Sequence, residues 1–185
     1  MANINEGLYT ERLILKILDE SAAGDVVDFY VENPEFEKYE PKRVFNFYTN
    51  NYMASTMKYE REVIEKKLGL RFWIFEKESP YKIIGTVSFQ NVMRNVYKSC
   101  QLGYKIHKAY QQKGYATEAV GFACRVAFRE LDVHRIEAYT MPENIPSARL
   151  LEKLGFSYEG IARQKAEVNG KWADHMIFSL LESEV

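Results

Sequence analysis

Cysteine is scarce: Cys100 and Cys124 are the only two in 185 residues, and they stand too far apart to form a metal-ligand spacing. That excludes a disulfide framework and a zinc module, and leaves two thiols expected to be buried in a reducing compartment. There is no excess of charge of one sign. Lys and Arg number 25 against 26 Asp and Glu, a net charge of −1, which removes the electrostatic footprint of a dedicated nucleic-acid binder. No apolar run approaches membrane-spanning length, and residues 1–10 lack the basic-then-apolar layout of a signal peptide. Low-complexity stretches, linkers and internal repeats are also missing, so residues 1–185 are expected to form a single domain. What is present is 46% hydrophobic and 28% charged, enough to bury a core without staples. The expectation is one soluble, cytoplasmic domain that meets neither nucleic acid nor membrane and needs no metal.

Residues 12–18 alternate as a strand, Leu13, Leu15 and Ile17 against Ile14 and Lys16, and residues 21–31 read as a short helix ending before Asn33-Pro34. Glu32, Glu35, Glu37 and Glu40 outnumber Lys38 in the next stretch, and a polar, aromatic helix over residues 47–68 stops at Gly69. Strands follow over 71–76, 82–92 and 97–106, with a turn at Ser79-Pro80 between the first two. The pattern then changes to a glycine-containing loop, a helix over 115–131, a strand over 135–140 and a helix over 145–154. Two strands joined at Asn169-Gly170, the strongest short hairpin signal, close the chain. This order predicts an α/β fold, a mixed sheet with helices on its faces.

The residues with chemical promise lie at Gln111-Gln112-Lys113-Gly114-Tyr115-Ala116, between a strand and a long helix. A helix start points several unpaired N–H groups outward, and the helix dipole favours an anion there. Gly114 lets the backbone approach a ligand closely and Lys113 adds positive charge, so the stretch suits a pyrophosphate. The same residues also serve an ordinary strand-to-helix turn. Downstream, Asn144 is a good N-cap, Pro146 is tolerated in the first turn and Gly155 suits the position after a helix. A P-loop of a phosphate-transferring nucleotide enzyme fits poorly, because Gly114 is followed by Tyr115-Ala116 rather than by Gly-Lys-Ser/Thr.

Together the two features, Q-x-x-G-x-A before a helix and then N-x-x-S with K-x-G-F, resemble the GNAT-type N-acetyltransferase family. The Thr10-Glu11-Arg12-Leu13 opening, Ile84-Gly85 and the ending from Asn169-Gly170 to Asp174-His175 resemble its branch that acetylates the N-termini of ribosomal proteins. The resemblance implies a mixed, mostly antiparallel twisted sheet with helices on both faces, and acetyl-coenzyme A as cofactor. It places that cofactor against Ile106, Gln111, Gln112, Lys113, Gly114, Tyr115, Ala116, Thr117, Asn144, Ser147 and Lys153. Many members carry a tyrosine on the Asn-headed helix as general acid. Here that position is Leu151, and Ser147 is the replacement, as in the ribosomal-protein branch. A first-turn serine can also merely cap backbone N–H groups.

For the base, Glu167 beside the hairpin is the first candidate, with Glu137 and His175 as alternatives; His107 and His134 read as structural. The cysteines form no arrangement suited to an acyl-enzyme, so attack is expected to be direct, in a ternary complex. The resemblance builds the acceptor groove from the last hairpin and the segment carrying Phe36, Tyr39, Phe45, Phe47, Tyr48, Tyr52 and Tyr59 with Glu35, Glu37 and Glu40. An acidic, aromatic wall suits a cationic amine, either a protein N-terminus or a small amine such as a polyamine, although such aromatics also commonly pack inward. A non-catalytic acyl-coenzyme A-binding module is the reading from a different class. The chain is expected to be a monomer or a homodimer.

Overall fold

Alternation along the central strands decides where the helices go. The computed structural model describes residues 4–185. They form β1 (Leu8–Tyr9), β2 (Leu13–Lys16), α1 (Ala23–Val31), α2 (Asn50–Glu65), β3 (Leu70–Glu76), β4 (Gly85–Met93), β5 (Ser99–Ile106), α3 (Tyr115–Leu131), β6 (Arg135–Thr140), α4 (Ile145–Lys153), β7 (Ser157–Val168) and β8 (Lys171–Leu181). The strands make one sheet in the order β1-β2-β3-β4-β5-β6-β8-β7, antiparallel at every junction except β5–β6. On β3, Phe72 and Ile74 enter one core with Leu13, Leu15, Val87 and Phe89, whereas Trp73 and Phe75 enter a second with Ile14. A strand apolar at every position from Phe72 to Phe75 thus feeds two cores. The first is covered by α3 and α4, the second by α1 and α2. Helices therefore lie on both faces, as the family resemblance implies.

Ala119, Ala123 and Ala127 recur every fourth residue on the buried side of α3, small enough for the helix to lie close on the sheet. Cys100 and Cys124 are free and buried in the same core. Burial pushes the Cys100 thiol up to about 12 and raises Cys124 as well. Several elements are shorter than the pattern predicts, because caps intervene. Asp19 accepts from the Ser21 N–H at 2.9 Å and heads a 3-10 turn over Glu20–Ala22, so α1 starts at Ala23. Thr49 accepts from the Tyr52 N–H and starts α2 at Asn50, while Phe47 turns back to pack on Tyr30 at 5.0 Å between ring centroids. The hairpin at Asn169-Gly170 takes positive φ at both residues, 50° and 76°, as its sequence demands.

The parallel pairing of β5 and β6 is short. It runs from Ser99 opposite Arg135 to Leu102 opposite Ala138 and then stops. Beyond that, β5 stays with β4, Lys105 on Thr86 and Ile106 on Gly85, and β6 stays with β8, Thr140 on Met176. The two strands diverge, and the edge of β5 from Gly103 to Ile106 that faces β6 has no strand partner. Gly85 is required on the other edge, since a Cβ there would lie 2.6 Å from the Lys105 carbonyl oxygen.

On the far side, Arg135, Glu159 and Ser179 together join β6, β7 and β8. Arg135 Nε bonds Glu137 at 2.8 Å, and Nη1 and Nη2 bond both oxygens of Glu159 at 2.8 and 2.5 Å. Ser179 donates to the same Glu159 carboxylate at 2.6 Å. Arg135 first, then Ser179, lowers the Glu159 carboxyl from 4.5 to about 2. The unfolded chain therefore takes up this proton first, so the pairing stabilises the fold above the ordinary carboxylate range and is lost as pH falls. In urea denaturation, the stability gap between the parent and Glu159→Gln should hold steady above about pH 5 and close toward pH 2; a gap unchanged down to pH 3 would refute the pairing.

Candidate functional site

The mouth of the β5–β6 gap, the start of α3 and the start of α4 meet in one region. Gln112 and Gly114 lie in the left-handed region at φ 60° and 82°, and Lys113 between them does not. Such alternation turns successive N–H groups to one side. No side chain caps α3, and the N–H groups of Tyr115, Ala116 and Thr117 have no partner among the described residues. With the dipole behind them they suit an anion. A Cβ on Gly114 would stand 3.2 Å from Arg12 Nη2, and its φ of 82° favours glycine. Lys113 and Gln112 are exposed, with the Lys113 ammonium 5.0 Å over the Tyr110 ring. Gln111 acts as a brace, its amide donating to the Ile106 carbonyl at 3.0 Å.

The end of α1 fixes the same loop from below. Asn33 is fully buried; its amide donates to the Phe29 carbonyl at 2.7 Å and its oxygen accepts from the Lys108 N–H at 2.9 Å. His107 Nδ1 accepts from the Ala109 N–H at 3.1 Å, which leaves the proton on Nε2, 2.9 Å from Glu32. Lys82 joins Glu32 at 2.7 Å. His107 is thus a structural histidine, as the sequence reading expects. His134 is exposed, and its main chain bonds Lys98 and Glu182.

Across the gap, Tyr104 on β5 reaches Ser147 on α4, with 2.8 Å between hydroxyls and 3.2 Å from the tyrosine hydroxyl to the Ser147 carbonyl. Burial pushes Tyr104 up to about 12, despite the Ser147 hydrogen bond, so it stays protonated and keeps a proton to donate. Asn144 caps α4 by accepting from the Ser147 N–H. Leu151, at 1% exposure, fills the first core, so that position offers no polar group to the site. Lys153 lies exposed in the last turn of α4, beside Leu154, whose methyl approaches Gly121 midway along α3.

Of the three basic candidates, Glu137 has both oxygens engaged, by Arg135 and by the Tyr139 hydroxyl at 2.6 Å. His175 is buried with Nδ1 at 3.1 Å from the Ala173 carbonyl. Glu167 is exposed opposite Trp172 and has no hydrogen-bond or ionic partner among the described residues. The hairpin carrying it leans onto the segment after α1, Asn169 donating to the Glu37 carbonyl at 3.1 Å. An open cleft of about 540 Å³ lies there, with Lys38, Glu143, Gln164, Trp172 and Asp174 on its walls. The expected acidic, aromatic wall is mostly spent internally. Arg43 pairs with Glu40 and Glu37 and stacks on Tyr30, Phe47 and Tyr48, and Lys105 also pairs with Glu40. Phe36 and Phe47 pack on the second core, leaving Glu35, Phe45, Tyr48 and Tyr59 exposed.

Sequence reasoning passed over Tyr104, Asn33 and Glu118. For Tyr104 a signal existed: a hydroxyl alternating with Leu102 and Ile106 on a core-facing strand must find a partner. Replacing Tyr104 by Phe keeps the ring and removes one hydrogen bond between β5 and α4, and should cost about 1 kcal/mol in urea denaturation; no loss would mean the hydroxyls do not pair.

The model for the acetyltransferase (GNAT) domain family matches residues 12–157. A probable N-acetyltransferase of Bacillus subtilis, YjcK, is 36% identical over 93% of this chain and 95% of its own. The ribosomal protein uS5-alanine N-acetyltransferase of Escherichia coli is 33% identical over 94% of this chain and 89% of its own. Among solved structures, the ribosomal-protein-S5-alanine acetyltransferase of Vibrio fischeri superimposes with a TM-score of 0.90 at 30% identity, covering 96% of this chain and 97% of that one. A glycine-headed helix beside a forked sheet, matched over this span, makes the chain a member of the acetyltransferase (GNAT) domain family and an N-acetyltransferase.

Proposed function

We propose that this enzyme moves an acetyl group from acetyl-coenzyme A to the α-amine of a protein N-terminus, an alanine-headed ribosomal protein being the first acceptor to try. The observation that carries the reading is the coincidence of two unmet backbone demands: the unpaired edge of β5 and the uncapped start of α3 lie at the same end of the sheet. The cofactor suits the residues, since the uncapped start of α3 is headed by a glycine that carries no side chain over its N–H groups. When bound, acetyl-coenzyme A supplies an acyl group activated as a thioester.

The N–H groups of Tyr115, Ala116 and Thr117, with Lys113 beside them, hold the anionic end. The β5 edge through Ile106 offers preorganised backbone donors to the amides and the carbonyl of the arm. Asn144 fixes the first turn of α4 and with it Ser147. The Tyr104 hydroxyl lies against both the Ser147 hydroxyl and its carbonyl; with the tyrosine as donor, the serine proton is free to face a departing sulfur. Lys153 brings a cation to the far end of α4. Both thiols are buried and protonated, which favours direct attack by the amine. An α-amine with a pKa of about 7.7–8.0 needs only a modest base, unlike a lysine side chain near 10.4. Glu167 is the unengaged carboxylate on the hairpin, and we assign it that role. The 540 Å³ cleft admits the acceptor, with Glu143 and Asp174 on its walls beside Lys38 and Lys171. The relative that acts on the alanine of uS5 supports the choice of acceptor. Such an enzyme works in the cytoplasm, where its two substrates are.

Calorimetric titration with coenzyme A should give micromolar binding that Gly114→Asp abolishes, because a side chain at φ 82° is strained and a carboxylate repels the anion. Thioester consumption should then follow with an alanine-headed peptide and not with its N-acetylated form or with spermidine. Spermidine turnover would move the acceptor to the polyamine class, and binding without turnover would leave an acyl-coenzyme A-binding module. Glu167→Gln should lower kcat at least tenfold and flatten the acid limb of its pH profile; an unchanged limb and rate would remove the base assignment.

A further inference from the structure

Arg12, between β1 and β2, divides one guanidinium among three parts of the glycine loop. Its Nε bonds Glu118 at 2.7 Å and its Nη1 bonds the Lys113 carbonyl at 2.9 Å. Its carbon stands 4.7 Å over the Tyr115 ring, whose hydroxyl is in turn held by Glu76 at 2.5 Å. The Arg12 N–H and the Thr10 hydroxyl bond the other Glu118 oxygen at 2.7 and 2.5 Å. The residue before Gly114, the residue after it and the first turn of α3 are thereby tied to a strand edge 106 residues away in sequence. Nη2 has no partner among the described residues and lies 3.2 Å from the point a Gly114 Cβ would occupy.

The electrostatics give the contact a second effect. Glu118 is a carboxylate in the first turn of the helix whose N–H groups must receive an anion, and there it would repel the ligand. Burial pushes its carboxyl up, but the Thr10 hydroxyl and the Arg12 N–H and guanidinium outweigh that and hold it below the ordinary range. The charge is therefore present, and Arg12 is the cation that offsets it.

We infer that Arg12 is a positioning residue of the anion cradle, holding Lys113, Gly114 and Tyr115 in the binding geometry and cancelling the repulsion of Glu118. This rests on the proposed coenzyme A site and adds a residue that acts on it through the loop. Arg12 is half exposed, so its replacement is compatible with folding.

The test compares the parent, Arg12→Gln and Arg12→Lys by calorimetry with coenzyme A and with pantetheine, which has no pyrophosphate. It adds the Michaelis constants for acetyl-coenzyme A and for the alanine-headed peptide. Arg12→Gln should weaken coenzyme A about tenfold and raise the acetyl-coenzyme A constant equally, with pantetheine, the peptide constant and kcat at saturation within about twofold. Arg12→Lys, which keeps charge but loses the fork, should fall between Arg12→Gln and the parent. Coenzyme A affinity within twofold of the parent in Arg12→Gln overturns the inference while the parent's binding upholds the cofactor reading. Equal loss for coenzyme A and pantetheine marks a general disturbance and overturns it too. No binding by the parent overturns the cofactor reading, and the inference with it.

Discussion

The site depends on a competition that one pair of strands loses. β5 and β6 pair in parallel over four residues, and then each follows its antiparallel neighbour. Antiparallel ladders are slightly more stable per residue, and Gly85 lets β4 come close enough to keep the end of β5. Backbone groups left over in the fork must be met by water or by a ligand with amides of its own. The slot is therefore built from main chain, and its shape survives changes in the side chains around it.

A fork of this kind needs its two prongs held apart yet in register, and the chain does this with long-range braces. Tyr104 and Ser147 join β5 to α4 across the opening. Asn33 and the His107–Glu32–Lys82 group tie the end of β5 to α1. Arg12 ties the start of α3 to the β1–β2 edge. Each brace brings a residue from the first third of the chain, or from α4, to β5 or to the loop after it. The N-terminal strands thus act as the scaffold against which the glycine loop keeps its left-handed turns.

Much of this was legible locally. The bounds of α3 and β6 follow directly from residue patterning, since a glycine in the left-handed region opens one and strict alternation marks the other. The Asn-Gly hairpin and the Asn144 cap are likewise sequence-local devices. The two-residue β1 is too short to show a period, and Phe47 reads as helical although a turn carries it into the second core. The acids at Glu37 and Glu40 look like a ligand wall until Arg43 and Lys105 are seen to consume them. Pairings separated by 43 and 106 residues, Tyr104 with Ser147 and Arg12 with Glu118, leave no periodic trace; they exist only once the sheet is assembled.

Cys100 on β5 and Cys124 on α3 lie in one core, between the sheet and the helix that follows the glycine loop. A thiol reagent attacks only thiolate, and neither side chain meets solvent or ionises while α3 lies on the sheet. Modification of these two sulfurs therefore times the lifting of α3 from β5, a built-in chemical clock for opening of the layer that bears the cradle.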